Sequence, residues 1–279
     1  MPGNAASLAD AEGLLPLLSL RVDQALLDGA PRLRVIANYA VGYDNIDVAA
    51  CTRRGVVVCN TPGVLTSATA ELTLALILGV ARRLPEGLGL ARSGQWSGWQ
   101  PGQLLGLELD GARLGIIGLG RIGRAVSARA AAFGMDVVSH SRASGLPLDE
   151  LLATSDVVTV HCPYGPSTHH LLGGRQLALM KPGALLINTA RGPILDEAAV
   201  ADALLDGHLG GVGLDVFEAE PTIHPALRAH PRALILPHLG SATARTRAAM
   251  AEVAAEGIAE VLAGRRPAHE VNPAALGYT

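Results

Sequence analysis

The sequence holds one segment whose residue types and spacing have a direct chemical reading: Leu114-Gly115-Ile116-Ile117-Gly118-Leu119-Gly120-Arg121-Ile122-Gly123. It sets G-x-G-x-x-G between an apolar run and a helical pattern. Gly118 permits a tight turn, Gly120 lets backbone approach a pyrophosphate, and Gly123 lets the helix sit close to the strand. The helix N-terminus that follows favours the anion. In a chain with 33 glycines the pattern alone is weak. A strand before it and a helix after it make it a dinucleotide-binding fingerprint. The end of the next strand reads Val138-Ser139-His140-Ser141-Arg142. An NAD site usually has an acid there to accept the ribose hydroxyls. Ser141 with Arg142 instead offers a hydroxyl and a guanidinium suited to a 2′-phosphate, so the expectation is NADP(H) over NAD(H). The other reading is a solvated loop arginine, since Lys181 is the lone lysine among 22 basic residues. The neighbours His169 and His170 have no third ligand at helical or turn spacing, so they are assigned to the surface and no metal is expected.

The elements that would hold these groups follow from the pattern of apolar residues. From 111 to 240 short apolar runs alternate with helical stretches, the rhythm of parallel strands joined by crossover helices. The runs are 114–118, 136–140, 156–160, 184–188, 211–215 and 233–236. Ile122, Val126, Ala130 and Phe133 recur at helical spacing, which predicts a helix over 121–133. Asp196 is placed to cap a helix running to Leu205 and ending near Gly207. Upstream, 14–18, 34–38 and 56–59 read as three strands of a smaller lobe. One long helix is predicted over 71–92, followed by a loop with Trp96 and Trp99. Another over 242–262 would run back to the small lobe.

Composition narrows the function. Net charge is −3 with charged residues at 17%, and no run of like charges marks a nucleic-acid or polybasic membrane surface. No apolar stretch reaches the roughly 20 residues of a membrane span. The start lacks a basic segment before an apolar one, so it is not read as a signal peptide, and the expected compartment is cytoplasmic. Cys51, Cys59 and Cys162 are odd in number and lack C-x-x-C spacing, which argues for small buried fillers rather than disulfides or zinc. A chain of 279 residues suits two lobes with a cleft between them.

Seven runs together carry a resemblance: 38–47 (NYAVGYDNID), 60–66 (NTPGVLT), 118–123, 180–183 (MKPG), 188–193 (NTARGP), 213–221 (GLDVFEAEP) and 237–241 (PHLGS). In this order the chain resembles the D-isomer-specific 2-hydroxyacid dehydrogenases, and within them glyoxylate/hydroxypyruvate reductases. The resemblance covers nearly the whole chain. It implies an α/β protein, with a Rossmann-like dinucleotide-binding domain over 65–245. That domain is inserted in a discontinuous flavodoxin-like substrate domain made of 1–64 and 246–279.

The resemblance also implies site residues. Arg191 would hold the carboxylate and keto oxygen of a 2-keto acid, since a guanidinium can meet both at once. His238 would be the proton donor, protonated for reduction and neutral for oxidation. Glu220, before Pro221, would orient that imidazole and stabilise its charged form, leaving Glu218 as a solvated residue. Asp215 would bond the nicotinamide carboxamide. Thr66, Cys162, Pro163, Thr168, Thr189, Ala190 and Gly240 fall on cofactor-contacting positions, beside Gly118, Leu119, Gly120, Arg121, Ile122, Gly123, Ser141 and Arg142. Leu18, Val41 and Gly42 fall on substrate-binding positions; Gly42 would let backbone N–H groups approach a carboxylate. The expected reaction is NAD(P)H-dependent reduction of glyoxylate or hydroxypyruvate to the D-2-hydroxy acid by a homodimer joined through 71–99. The alternatives are a phosphoglycerate or D-lactate type dehydrogenase and, in another class, a non-catalytic nucleotide sensor. Two departures stand out: relatives carry further residues before the position of Leu14, which reads as a truncated substrate domain, and a longer loop after Arg142.

Overall fold

The computed structural model describes residues 8–142 and 144–276. Residues 1–7, on which the signal-peptide reading bears, lie outside them. The chain divides into two compact units, Met1–Leu65 with Ser241–Thr279, and Thr66–Gly240. In chain order the elements are β1 (Gly13–Leu14), α1 (Gln24–Asp28), β2 (Val35–Ala37), α2 (Val48–Arg53), β3 (Val57–Cys59), α3 (Thr66–Ala81) and α4 (Leu84–Arg92). There follow β4 (Arg113–Ile117), α5 (Arg121–Ala132), β5 (Asp136–Ser141), β6 (Ser144–Gly145), α6 (Leu148–Thr154), β7 (Val157–Val160) and α7 (Gly174–Leu179). The last are β8 (Ala184–Asn188), α8 (Glu197–Leu205), β9 (Leu209–Leu214), α9 (Pro225–Ala229), β10 (Ala233–Ile235) and α10 (Ala244–Leu262).

The smaller unit has a parallel sheet in the order β1-β2-β3. Its core strands are apolar on both faces because each face is covered. Val22, Leu27, Ile36, Ile46, Cys51 and Val58 form one cluster, and Val35, Val57, Cys59, Ala254 and Val261 another, the latter under α10. Burying such side chains supplies roughly 1.5–3 kcal/mol each, offset by chain ordering. β1 is shorter than the run 14–18 predicts, ending at Leu14, so Leu18 lies in a turn rather than at a strand end.

The larger unit has a sheet in the order β10-β9-β8-β7-β4-β5-β6, parallel except for the antiparallel edge β6. β6 was not among the six predicted strands; at two residues it is too short to show periodicity. Strand order reverses between β4 and β7, and at such a switch point the crevice beyond the carboxyl ends of the strands binds ligands. β4 and β7 deliver Gly118 and Cys162 to that place. The single helix expected over 71–92 is two, because Arg83 adopts a left-handed conformation with φ +53 and Pro85 opens α4. α8 starts as expected, with the Asp196 carboxylate accepting the Ala199 N–H at 3.1 Å. No helix among the described residues is long and apolar enough to cross a membrane.

Candidate active site

Gly118 leaves β4 with φ +99, and a Cβ there would sit 2.4 Å from the backbone nitrogen of Cys162. Only glycine makes that turn. A Cβ on Gly123 would lie 2.2 Å from the Gly118 carbonyl oxygen, so α5 packs against the turn as closely as backbone allows. Gly120 caps α5 with no side-chain bond and faces open space. The helix therefore presents uncapped N–H groups, with no acidic residue in its first turn to compete for them. This cradle fits a dinucleotide pyrophosphate. Leu119, Arg121 and Ile122 stand between these glycines in the chain.

Next to it, Ser141 and Arg142 end β5. The Ser141 hydroxyl is engaged: it lies 3.0 Å from the Ser144 carbonyl oxygen and receives the Ser144 N–H at 3.1 Å, closing the hairpin to β6. Arg142 is exposed. After β7, burial pushes the Cys162 thiol up to about 11, so this cysteine is an inert wall. Pro163 follows, and its carbonyl accepts the Thr168 hydroxyl at 2.9 Å, which folds the loop 163–168 on itself.

The residues expected to anchor substrate and move the proton lie beyond β8, β9 and β10. His238 Nδ1 donates to Glu220 Oε2 at 2.9 Å, and the Phe217 N–H donates to Glu220 Oε1 at 3.1 Å. Burial pushes the Glu220 carboxyl up, but the hydrogen bond and charge of His238, the Phe217 N–H and the Arg191 guanidinium outweigh it and leave the carboxyl below its ordinary value. Glu220 is thus held as a carboxylate. His238 itself has φ +56, a conformation that costs a non-glycine residue roughly 1–3 kcal/mol and must be held by its surroundings. Its N–H donates to the Asp215 carbonyl at 2.9 Å. The Asp215 carboxylate, 1% exposed, accepts the N–H of Leu239 at 2.6 Å and of Gly240 at 2.7 Å. Burial leaves that carboxyl above its ordinary value despite these bonds. Asp215 therefore clamps the histidine loop, a task the sequence did not reveal.

Arg191 is half-buried after β8, its Nη1 donating to the Ala190 carbonyl at 2.9 Å. The loop before it is fixed by buried Asn188, which donates to the Arg191 carbonyl and accepts the Ala190 N–H, both at 2.9 Å. Thr189 turns into the protein and meets Thr73 Oγ1 at 3.0 Å. Thr73 gives its one hydroxyl proton to the Thr69 carbonyl at 2.8 Å, so Thr189 must be the donor to Thr73. Thr69 in turn donates to the Gly240 carbonyl at 3.0 Å. Helix α3 thereby ties the Arg191 loop and the His238 loop to one rigid element. Thr66 opens that helix, half-buried. Sequence reasoning missed Thr69, Thr73 and Asn188; threonines four apart in an otherwise apolar helix were the available signal.

Three residues assigned to the surface have partners there. Glu218 is exposed but engaged, accepting from His170 Nε2 at 2.7 Å. His169 stacks on His170 with ring centroids 4.0 Å apart.

In the smaller unit, the loop 38–45 is held by amides. Asn38 Nδ2 donates to the Gly42 carbonyl at 2.7 Å, and Asn60 Nδ2 to the Val41 carbonyl at 2.7 Å. Asn45 Nδ2 donates to the Leu20 carbonyl at 3.0 Å, joining this loop to the turn that carries Leu18. With both carbonyls held, the N–H groups of Val41 and Gly42 enter no backbone hydrogen bond among the described residues.

Residues 74–240 match the D-isomer specific 2-hydroxyacid dehydrogenase, NAD binding domain, family. The glyoxylate reductase of Thermococcus litoralis is 44% identical over 278 residues, covering 94% of this chain and 84% of its own length. The chain belongs to the D-isomer-specific 2-hydroxyacid dehydrogenases. Two solved structures agree. One, from Thermus thermophilus, is 50% identical with a TM-score of 0.92, covering 96% of this chain and 88% of its own. The other is the NADPH-dependent glyoxylate/hydroxypyruvate reductase of Sinorhizobium meliloti in complex with NADP and malonate. It is 34% identical with a TM-score of 0.88, covering 96% of this chain and 87% of its own. As a D-2-hydroxyacid dehydrogenase the chain is an oxidoreductase that uses a nicotinamide cofactor. The turn from Gly118 to Gly123 is the part of the dehydrogenase that fits it.

Proposed function

We propose that the enzyme reduces glyoxylate or hydroxypyruvate to the corresponding D-2-hydroxy acid. The observation that carries this reading is the His238–Glu220 pair at 2.9 Å, in a chain 44% identical to a glyoxylate reductase. The nicotinamide, when bound, supplies the hydride that the keto carbon receives. Arg191 grips the substrate carboxylate and keto oxygen and fixes the carbonyl orientation. Because Nδ1 of His238 is committed to Glu220, Nε2 is the atom that delivers a proton to the developing alkoxide. Glu220, held ionised, orients the ring and stabilises the imidazolium through reaction. In the other unit, Val41 and Gly42 would offer N–H groups to a carboxylate, with Leu18 on the turn joined to their loop.

Gly118 to Gly123 would hold the pyrophosphate, with Thr66, Cys162, Pro163, Thr168, Thr189, Ala190, Asp215 and Gly240 along the rest of the cofactor. NADP(H) is the favoured cofactor, through exposed Arg142 meeting the 2′-phosphate. Ser141 contributes less than the sequence implied, since its hydroxyl already closes the hairpin to Ser144. The unit Thr66–Gly240 would serve as the dinucleotide-binding domain, and the other as the substrate domain. A homodimer through the 71–99 region is supported by its exposed apolar side chains, Leu84, Leu88, Trp96 and Trp99, the last 78% exposed. Sedimentation of a monomer alone would remove that part.

Comparing kcat/KM for NADPH and NADH, with glyoxylate and hydroxypyruvate in turn, tests the function. NADPH is expected to be favoured, and Arg142→Ala to erode that preference about tenfold or more, the worth of a charged hydrogen bond. A higher kcat/KM with NADH contradicts the cofactor assignment. A folded enzyme inert toward both acids contradicts the substrate assignment.

A further inference from the structure

The segment that carries Glu220 is pinned at both ends by one side chain. Glu197, the first residue of α8, accepts the Glu218 N–H through Oε2 at 2.8 Å and the His224 N–H through Oε1 at 2.6 Å. Between these anchors the chain makes a small hairpin, the Thr222 N–H donating to the Ala219 carbonyl at 2.8 Å, with Glu220 and Pro221 at its tip. The contact is reciprocal. The Glu197 N–H donates to Glu218 Oε2 at 3.3 Å, and the other oxygen of Glu218 receives His170 Nε2. His170 is anchored by its own N–H, which donates to the Pro193 carbonyl at 2.9 Å in the loop that follows Arg191.

We propose that Glu197 is a positioning residue for proton delivery: it sets where the Glu220 carboxylate stands, and through Glu220 the aim of His238. The proposal rests on the catalytic reading of His238 and Glu220 above. Physically, a carboxylate that accepts two backbone N–H groups six residues apart fixes the span between them, and charge-assisted bonds of this kind are the strong ones. Glu220 is at the tip, where the Phe217 N–H and His238 meet its oxygens and the Arg191 guanidinium adds its charge, and the frame behind it sets where the carboxylate stands among them. His170 and Glu218 brace that frame from the Arg191 side.

The groups facing Glu220 are His238, Arg191 and Asp215, and those around Glu197 are Glu218, His170 and His224. All are retained when Glu197 alone is changed. The test uses the full chain as wild type, Glu197→Gln and Glu197→Ala, with two readouts. The first is the titration midpoint of the Glu220 carboxyl by carbon NMR, which needs no turnover. In wild type it lies below the ordinary glutamate value; in Glu197→Ala it is expected to move back toward that value as His238 and the Phe217 N–H lose their fixed geometry. The second is the steady-state split. kcat is expected to fall on the order of 10–100-fold, the cost of a misplacement near 1 Å, with KM nearly unchanged because Arg191 keeps its own supports.

Glu197→Gln is expected to fall between, since its carbonyl oxygen still accepts one N–H while its amide faces the other. It also decides the matter if Glu197→Ala does not fold. A Glu220 midpoint and a kcat equal to wild type in a folded variant would overturn the proposal while leaving the catalytic reading intact. An inert wild type would instead overturn the catalytic reading, and the carboxyl midpoint would still decide whether Glu197 positions Glu220.

Discussion

The turn from Gly118 to Gly123 and the segment from Asp215 to Gly240 lie in the same unit and are built on opposite principles. The first works by absence. A Cβ at Gly118 would meet the backbone of Cys162, and one at Gly123 the backbone of Gly118, so the anion cradle is made of main chain and steric exclusion. The second works by side chains that reach across the fold. Asp215 holds two N–H groups and Glu220 holds His238, while Thr69 fixes Gly240 from a helix 171 residues away in sequence. A site made of backbone fails all at once when a side chain is added. One made of a network fails by degrees, according to which bond is cut.

That contrast can be broken or sharpened experimentally. The largest effect among the supporting residues is expected from Glu220→Gln. The fold should survive, since the Phe217 N–H can still donate to the amide oxygen. His238 loses its anionic partner, so kcat for reduction should fall about 10²-fold. The loss should fall on kcat with KM nearly unchanged, because the bond to His238 is cut while the Arg191 loop keeps its own supports. An unchanged kcat would show that Glu220 does not act through His238.

The same substitution has a stability signature with a definite sign. The Glu220 carboxyl lies below its ordinary value in the folded protein. Its contribution is therefore present above the unfolded glutamate value and lost as pH falls through the folded one. Thermal melts of wild type should accordingly weaken more on acidification than those of Glu220→Gln.

Next in size is Gly118→Ala. At φ +99 with a Cβ 2.4 Å from Cys162 N, the backbone strain alone costs about 1–3 kcal/mol, and the displaced cradle should weaken NADPH binding, read by fluorescence titration. Wild-type affinity and melting would contradict the steric account.

The smallest effect is expected from Thr73→Val, which keeps the shape of the side chain and removes the hydroxyl between Thr189 and Thr69. The loss should be about 1–2 kcal/mol in chemical denaturation, with a modest rise in KM as the Arg191 loop loosens. A variant as stable as wild type would mean the hydroxyl chain is not holding the two loops.

Legibility in the sequence followed the same division. The glycine turn, the helix after it and the parallel strands were readable because backbone sterics and apolar runs are local signals. Asp196 capping α8 was readable for the same reason. Local patterns did not reveal that α3 and α4 are separate, since Arg82 and Arg83 continue a helical composition while the latter turns left-handed. Pro85 was the clue. The two-residue β6 and the Ser141–Ser144 closure lie below the length at which periodicity exists. The roles of Arg191, Glu220 and His238 came from resemblance alone, because their supports are remote: Thr73 meets Thr189 across 116 positions, and Glu218 meets His170 across 48. Glu218 looked like a solvated neighbour of Glu220 because nothing in its own segment shows the histidine it bonds.

The account stands on proton delivery by His238 to a 2-keto acid. The most direct measurement is NADPH consumption with glyoxylate and with hydroxypyruvate by wild type and by His238→Ala, at saturating cofactor. The account predicts turnover by wild type and a loss of kcat on the order of 10²–10⁴-fold in the variant, with NADPH still bound. A folded His238→Ala enzyme that reduces either acid at the wild-type rate would contradict it.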